Sequence, residues 1–344
     1  RDYVASLLCG CLALCSTFSW AGITQPVAPI DSTKWFHETL LPDGRSWHNK
    51  EQQHYTNRIE NAYISDGTLK IKALKETFED QGVVKGYTSA RLNSKFAFTY
   101  GRVDVRAKLP FGDGTWPAIW TLGKNINEDG GYWDNQYGTV GWPACGELDI
   151  MEHGLHPTNQ VSVAIHTPSS YGSTVNTSIQ TLADVANNFH VYSMNWSPDK
   201  ITFLIDGVGF YTYNPAVKND DTWPFYLEQY LLLNIAMGGN GGAIDPNFSQ
   251  SSMVIDYVRV YQNTTASTED IFANKFSVYP NPSSDVLNIR TNEPIDKVEL
   301  YNIIGQLIVV KKTTNINISS LKTGIYILKI YSGNRSVIKK VMID

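Results

Sequence analysis

The run Gly146-Glu147-Leu148-Asp149-Ile150-Met151-Glu152-His153-Gly154 sets three carboxylates into six positions, interleaved with apolar side chains. In a β-strand alternate side chains share a face. Glu147 and Asp149 therefore point one way, Leu148 and Ile150 the other. Strict alternation would throw Glu152 to the apolar side. One extra residue, a β-bulge at Ile150-Met151, returns it to the acidic face. Two carboxyl groups about 5–5.5 Å apart suit retaining glycoside hydrolysis, one as nucleophile and one as general acid/base. Three crowded acids cannot all ionise cheaply, so at least one pKa should rise, as a proton donor requires. Two other readings use the same residues: a solvated strand face with scattered charge, and an oxygen-rich calcium site.

The flanks weigh on that choice. Upstream stand Trp116 and Trp120, four apart around Pro117, and then Trp142-Pro143. Indoles stack on the flat C–H faces of sugars, although tryptophan also serves as plain core packing. Downstream, His153 abuts the acids and His166 sits in Ala164-Ile-His-Thr-Pro168. A histidine one strand over from paired carboxylates can tune an acid/base, and a lone one is more often structural.

The elements that must position these residues are strands. Gly101-Arg-Val-Asp-Val-Arg-Ala-Lys-Leu109 alternates, with Val103, Val105, Ala107 and Leu109 on one face. That pattern predicts a half-buried antiparallel strand. Similar runs are Gly67–Ala73, Ile201–Ile205 before an Asp206-Gly207 turn, Tyr230–Ala236 and Met253–Tyr261. No window of helical period stands out. Many short strands with Gly, Pro, Asn and Asp turns indicate a two-sheet sandwich over residues 28–262. Residues 263–275 are small and polar, a linker. Residues 276–344 form a second, smaller all-β unit with runs at Val286–Ile289, Lys297–Ile304, Gly324–Tyr331 and Ser336–Ile343. All nine tryptophans precede position 224, so this unit lacks the usual platforms of a sugar-binding module.

A chain of 344 residues with 18% charged and 12% aromatic residues can bury a large core. The net charge of −5 and the absence of a basic run exclude a nucleic-acid partner and disfavour a strongly anionic substrate. Val4–Trp20 is mostly apolar or small, and Ser19-Trp20-Ala21 fits a cleavage site. Residues 1–21 are expected to be a signal peptide outside the fold, too short to span a membrane. Three of the four cysteines lie there, which leaves Cys145 and no intrachain disulfide. Such a chain suits a bacterial exoenzyme that relies on its core.

Several motifs stand in a familiar order. They are Glu51-Gln-Gln-His-Tyr-Thr56, Tyr87-Thr-Ser-Ala-Arg-Leu92, Trp116-Pro-Ala-Ile-Trp120, Glu147-Leu-Asp-Ile-Met-Glu152, Leu232-Leu-Asn-Ile-Ala-Met-Gly-Gly239 and Ile255-Asp-Tyr-Val-Arg-Val-Tyr-Gln262. The chain from about 33 to 262 resembles the laminarinase-like members of glycoside hydrolase family sixteen. The resemblance implies a β-jelly roll whose concave sheet holds an open catalytic cleft. It implies retaining hydrolysis, with Glu147 as nucleophile, Glu152 as acid/base and Asp149 tuning between them. The bulged form with Met151 resembles the laminarinase, agarase and carrageenase branch. Asn49, Arg91, Trp116 and Trp120 match cleft residues that contact sugar, and Trp142 and His166 join them as substrate-binding candidates. The family often carries a structural calcium, one ligand of which matches Asp256. The usual acidic partner before the first strand is missing from Pro29-Ile-Asp-Ser-Thr-Lys-Trp35. No cofactor is required by the chemistry.

The second unit resembles the C-terminal sorting domain of type nine secretion, through Tyr279-Pro-Asn-Pro282, Leu300-Tyr-Asn-Ile-Ile-Gly-Gln306 and Thr323-Gly-Ile-Tyr-Ile-Leu-Lys329. The expectation is a secreted or cell-surface β-1,3-glucanase, monomeric, with β-glucan and the bacterial secretion machinery as partners and no membrane span. Its rivals are a galactan hydrolase, a glucan-binding protein without catalysis and a transglycosylase.

Overall fold

Alternation at Val103, Val105 and Ala107 does what it predicts. All three are fully buried, while Arg102, Asp104, Arg106 and Lys108 face outward on the strand Gly101–Lys108. In this computed structural model the described residues are 3–6, 27–262, 272–273, 275–333 and 335–344. The chain divides into two compact units, Arg1–Gln262 and Asn263–Asp344.

The first unit is a β-jelly roll of two sheets. Seven strands form one sheet, in the order Thr177–Thr181, Gln160–His166, Glu147–His153, Thr115–Gly123, Gln229–Met237, Arg91–Phe98 and Trp35–His37. The other runs Val208–Tyr213, Ile201–Ile205, His190–Trp196, Gly101–Lys108, Gln250–Tyr261, Thr68–Asp80, Val83–Ser89 and Gln53–Tyr55. The inward residues of both make one apolar core that includes Leu92, Val105, Ile119, Leu148, Ile150, Leu233 and Ile255. Asp206 and Gly207 turn the chain with φ of 51° and 82°, the positive values a tight hairpin turn demands.

Two expectations need correction. The run at Gly67–Ala73 opens a longer strand, Thr68–Asp80, whose far half is polar and partly exposed on both faces. Burial is what makes a strand alternate, so that half carries little pattern to read. The backbone of Tyr3–Ser6, placed outside the fold with the rest of 1–21, pairs antiparallel with Arg259–Tyr261. There the last strand runs past the end of its neighbour Thr68–Asp80 and offers unpaired backbone groups. Residues 7–26, most of the signal-peptide expectation, and 263–271, most of the linker, lie outside the described residues. Cys145 is fully buried and unpaired.

The second unit has two sheets of its own. One pairs Ser277–Tyr279, Val286–Arg290 and Asn315–Asn317; the other pairs Leu307–Lys311, Lys297–Asn302, Gly324–Ser332 and Arg335–Ile343. Leu287, Val298, Leu300, Ile316, Leu328, Ile330 and Val341 fill its core. Among the described residues no helix is long and apolar enough to cross a membrane.

Candidate active site

The bulge sits where the acid spacing requires it. Asp149 pairs with Trp120 on one neighbouring strand and Met151 pairs with Ile119, the next residue but one against the next. Ile150 and Met151 both sink into the core, at 2% and 1% exposure. Two consecutive residues thus share the inner side, and Glu152 returns outward beside Asp149. The register then builds two rows across the outer face of the sheet. One reads Ser162, Glu152, Ala118, Asn234, Arg91. The next reads Ala164, Asp149, Trp120, Leu232, Asn93.

Each acid has a distinct partner. Trp142 donates its indole N–H to Glu147 Oε2 at 2.9 Å, and Trp116 donates to Glu152 Oε1 at 3.1 Å. His166, which pairs with Glu147 across the strands, places Nε2 3.2 Å from Asp149 Oδ2 and 3.6 Å from Glu147 Oε1. Burial pushes all three carboxyls up. Asp149 rises to about 8. Glu152 also rises to about 8, through burial and then the Asp149 charge, against the Trp116 hydrogen bond. Glu147 is driven well up by burial and by Asp149, with His166 and the Trp142 N–H opposing. Near neutral pH the trio therefore retains at least one proton, and its groups titrate as a coupled set. One carboxyl held protonated beside one stabilised by donors is the equipment for acid and nucleophile on a single face.

Aromatic residues wall the acids. Trp142 is 44% exposed, lies 5.7 Å from the His166 ring and meets Tyr171 edge-on at 5.4 Å. Trp120 is half-buried and fixed from three sides. Its N–H donates to Asn234 Oδ1 at 2.8 Å, Asn234 Nδ2 donates to the Tyr55 hydroxyl, and the Arg91 guanidinium lies 4.8 Å over its ring. Arg91 is itself buried, with Trp47 on another side at 5.1 Å. Its Nε donates to Glu38 Oε2 at 2.7 Å and its Nη2 to both Glu128 oxygens. Burial lifts Glu38 to about 7 despite Arg91, whereas Arg91 and His48 hold the buried Glu128 below its ordinary value. Sequence reading found Arg91 but not Glu38, Glu128, Tyr55 or Asn234. Asn234 had a signal, a lone amide inside the apolar run Leu231–Ala236.

Asn49 is exposed, with φ of 59°, in a single turn whose carbonyl packs on Gly239, and Gly241 of that same neighbouring turn abuts Trp116. His153 is buried and kept neutral by that burial, with Nδ1 2.9 Å from the Gln160 carbonyl. Asp256 meets Arg106, Oδ2 to Nη1 at 2.6 Å, and Asp31 folds back on the Thr33 N–H and hydroxyl. Calcium wants six to eight oxygens, and a carboxylate engaged by a guanidinium does not fit that role. The one group of three metal-capable side chains among the described residues is Glu147, Asp149 and His166, in the acid cluster itself.

A jelly roll that carries paired, proton-retaining carboxylates on a bulged strand, walled by tryptophan, defines a glycoside hydrolase. Residues 49–259 match the model of the glycosyl hydrolases family 16, and the chain belongs to that family. Residues 277–344 match the secretion system C-terminal sorting domain, which marks the protein for the cell exterior or surface. Among curated relatives, glucan endo-1,3-beta-glucosidase A1 of Niallia circulans is 39% identical over 68% of this chain and 36% of its own length. The beta-glucanase of Rhodothermus marinus is 37% identical over 71% of this chain and 82% of its own. Among solved structures, LamA of Zobellia galactanivorans, in complex with laminaritriose and laminaritetraose, is 46% identical with a TM-score of 0.63. That match covers 70% of this chain and 94% of LamA.

Proposed function

We propose that this protein is a secreted, monomeric endo-β-1,3-glucanase that cleaves laminarin-type glucan with retention of configuration. The observation that carries the reading is the bulge, which brings Glu147, Asp149 and Glu152 onto one tryptophan-walled face. Glucan relatives among the family support the substrate. Protonated Glu152 donates to the glycosidic oxygen while ionised Glu147 attacks the anomeric carbon, so the C–O bond breaks as the glycosyl ester forms. The leaving chain departs as an alcohol. Water then attacks the anomeric carbon of the glycosyl ester, Glu152 takes its proton, and Glu147 leaves as carboxylate. Asp149 and His166 hold Glu147 in place and set its charge. The mechanism uses no metal.

Reducing ends released from laminarin, lichenan, agar and carrageenan, compared side by side, test the substrate. Laminarin is cut fastest; faster release from agar or carrageenan removes the glucan reading. Glu147→Ser lowers turnover by several orders of magnitude while glucan binding persists. Activity within about tenfold of the wild type takes Glu147 out of the nucleophile's role.

A further inference from the structure

Three side chains of the acid cluster close on one point. Glu147 Oε1 and Asp149 Oδ2 stand 3.6 Å and 3.2 Å from His166 Nε2, and the three atoms all lie within 4.8 Å of one another. Donor atoms bound to a tetrahedral ion at roughly 2.0–2.2 Å sit about 3.3–3.5 Å apart. The two measured edges bracket that span. Asp149 Oδ2 is buried and takes part in no hydrogen bond, although the imidazole nitrogen is so near. The two atoms thus face a common point rather than each other. Glu147 Oε2 accepts from the Trp142 N–H, which leaves Oε1 free. Glu152 stands outside the group, its Oε1 accepting from Trp116.

The donor set selects the ion. Calcium and magnesium want a fuller shell of oxygens. One imidazole and two carboxylate oxygens suit zinc and its divalent transition-metal neighbours, with a fourth position open to water from the cleft. Solvent reaches the group, since Glu147 keeps 15% of its side chain exposed and His166 10%. A second histidine between two acids shows the contrast. His190 turns Nδ1 to Asp206 and Nε2 to Asp184, from opposite sides of its ring, and so bridges the pair without closing on a point. His166 Nδ1 is buried without a hydrogen-bond partner. A ligating imidazole usually has one on that nitrogen, and its lack costs roughly 10–100-fold in affinity. The site therefore suits an exchangeable ion rather than a permanent one.

We propose that Glu147, Asp149 and His166 form an inhibitory site for Zn²⁺, which holds the free oxygen of Glu147 and stops hydrolysis until the ion leaves. This rests on the glucanase reading above, with Glu147 as nucleophile. The test uses the full chain, stripped of metal with EDTA. About 0.1 mM Zn²⁺ lowers kcat/KM on laminarin about tenfold, and EDTA restores it. Co²⁺, a coloured substitute for Zn²⁺, gives the intense visible bands of a four-coordinate ion, read without any turnover. Asp149→Asn and His166→Gln, each shown to keep the wild-type far-ultraviolet dichroism, bind Co²⁺ at least about tenfold more weakly. Anomalous scattering at the zinc edge from wild-type crystals places the ion without any variant. No bands in the wild type, unchanged affinity in both variants, zinc found only elsewhere, or activity indifferent to Zn²⁺ overturns the inhibitory site. Metal-free wild type that fails to cut laminarin while the cobalt bands appear overturns the glucan reading instead.

Discussion

Two tryptophans and a histidine decide how the three acids share their protons. The Trp142 N–H stabilises the charged form of Glu147. Trp142→Phe removes that donor, so the Glu147 pKa rises and the ionised nucleophile appears at higher pH. The acidic limb of the pH–kcat/KM profile should move up, by as much as about one unit for a hydrogen bond to a charged group. A limb that stays or moves down dismisses the coupling. Glu152 works in the opposite direction on stability. Its folded value, about 8, lies above the ordinary 4.5. The folded state thus keeps a proton that the unfolded chain releases, and stability falls as pH rises through that window. Glu152→Gln abolishes this loss. Its melting temperature should gain on the wild type at pH 9 relative to pH 4, and the alkaline limb of activity should disappear. A larger gain at pH 4 has the wrong sign.

At the scale of the strand, the bulge adds one residue to each of two ladders at once. Deleting Met151 restores strict alternation as Glu-Leu-Asp-Ile-Glu. The third acid then still faces outward opposite Ala118 and Ser162, its present partners. What is lost is a fully buried methionine, worth about 2–5 kcal/mol. At about 2–4 °C per kcal/mol for a domain of this size, the deletion variant should melt roughly 5–15 °C lower and still hydrolyse with retention. Loss of all structure shows that the bulge is needed to close the sheet. The bulge itself was legible, because Glu152 falls out of phase with a pattern that is otherwise regular. So were Val103–Ala107, Ile201–Ile205 and the apolar run around Leu232, where one face or both are buried. The Arg91 cage was not. Glu38 and Glu128 lie 53 and 37 residues from it in sequence, on loops whose only visible property is charge. Trp142 was chosen as a platform, and nothing in its neighbours announces that its N–H ends on Glu147.

For the whole molecule, the strand Gln250–Tyr261 completes the first sandwich before the second unit begins at Asn263. A chain ending at Gln262 should fold alone and match the full protein on soluble laminarin within scatter. In the native host it should stay in the periplasm. Weaker binding to insoluble glucan with normal secretion makes the second unit a carbohydrate-binding module instead.

The separate cores also differ in their optical character. The second is built from Leu, Ile, Val and Phe, and every tryptophan belongs to the first unit. Indole emission excited at long wavelength is then a private signal of the catalytic sandwich, while far-ultraviolet dichroism reads strands in both. A single heating scan followed by both probes sorts the two unfolding events without cutting the chain. Quenching of the same emission by added glucan would report the cleft alone, because Trp142 and the half-buried Trp116 and Trp120 all stand beside it.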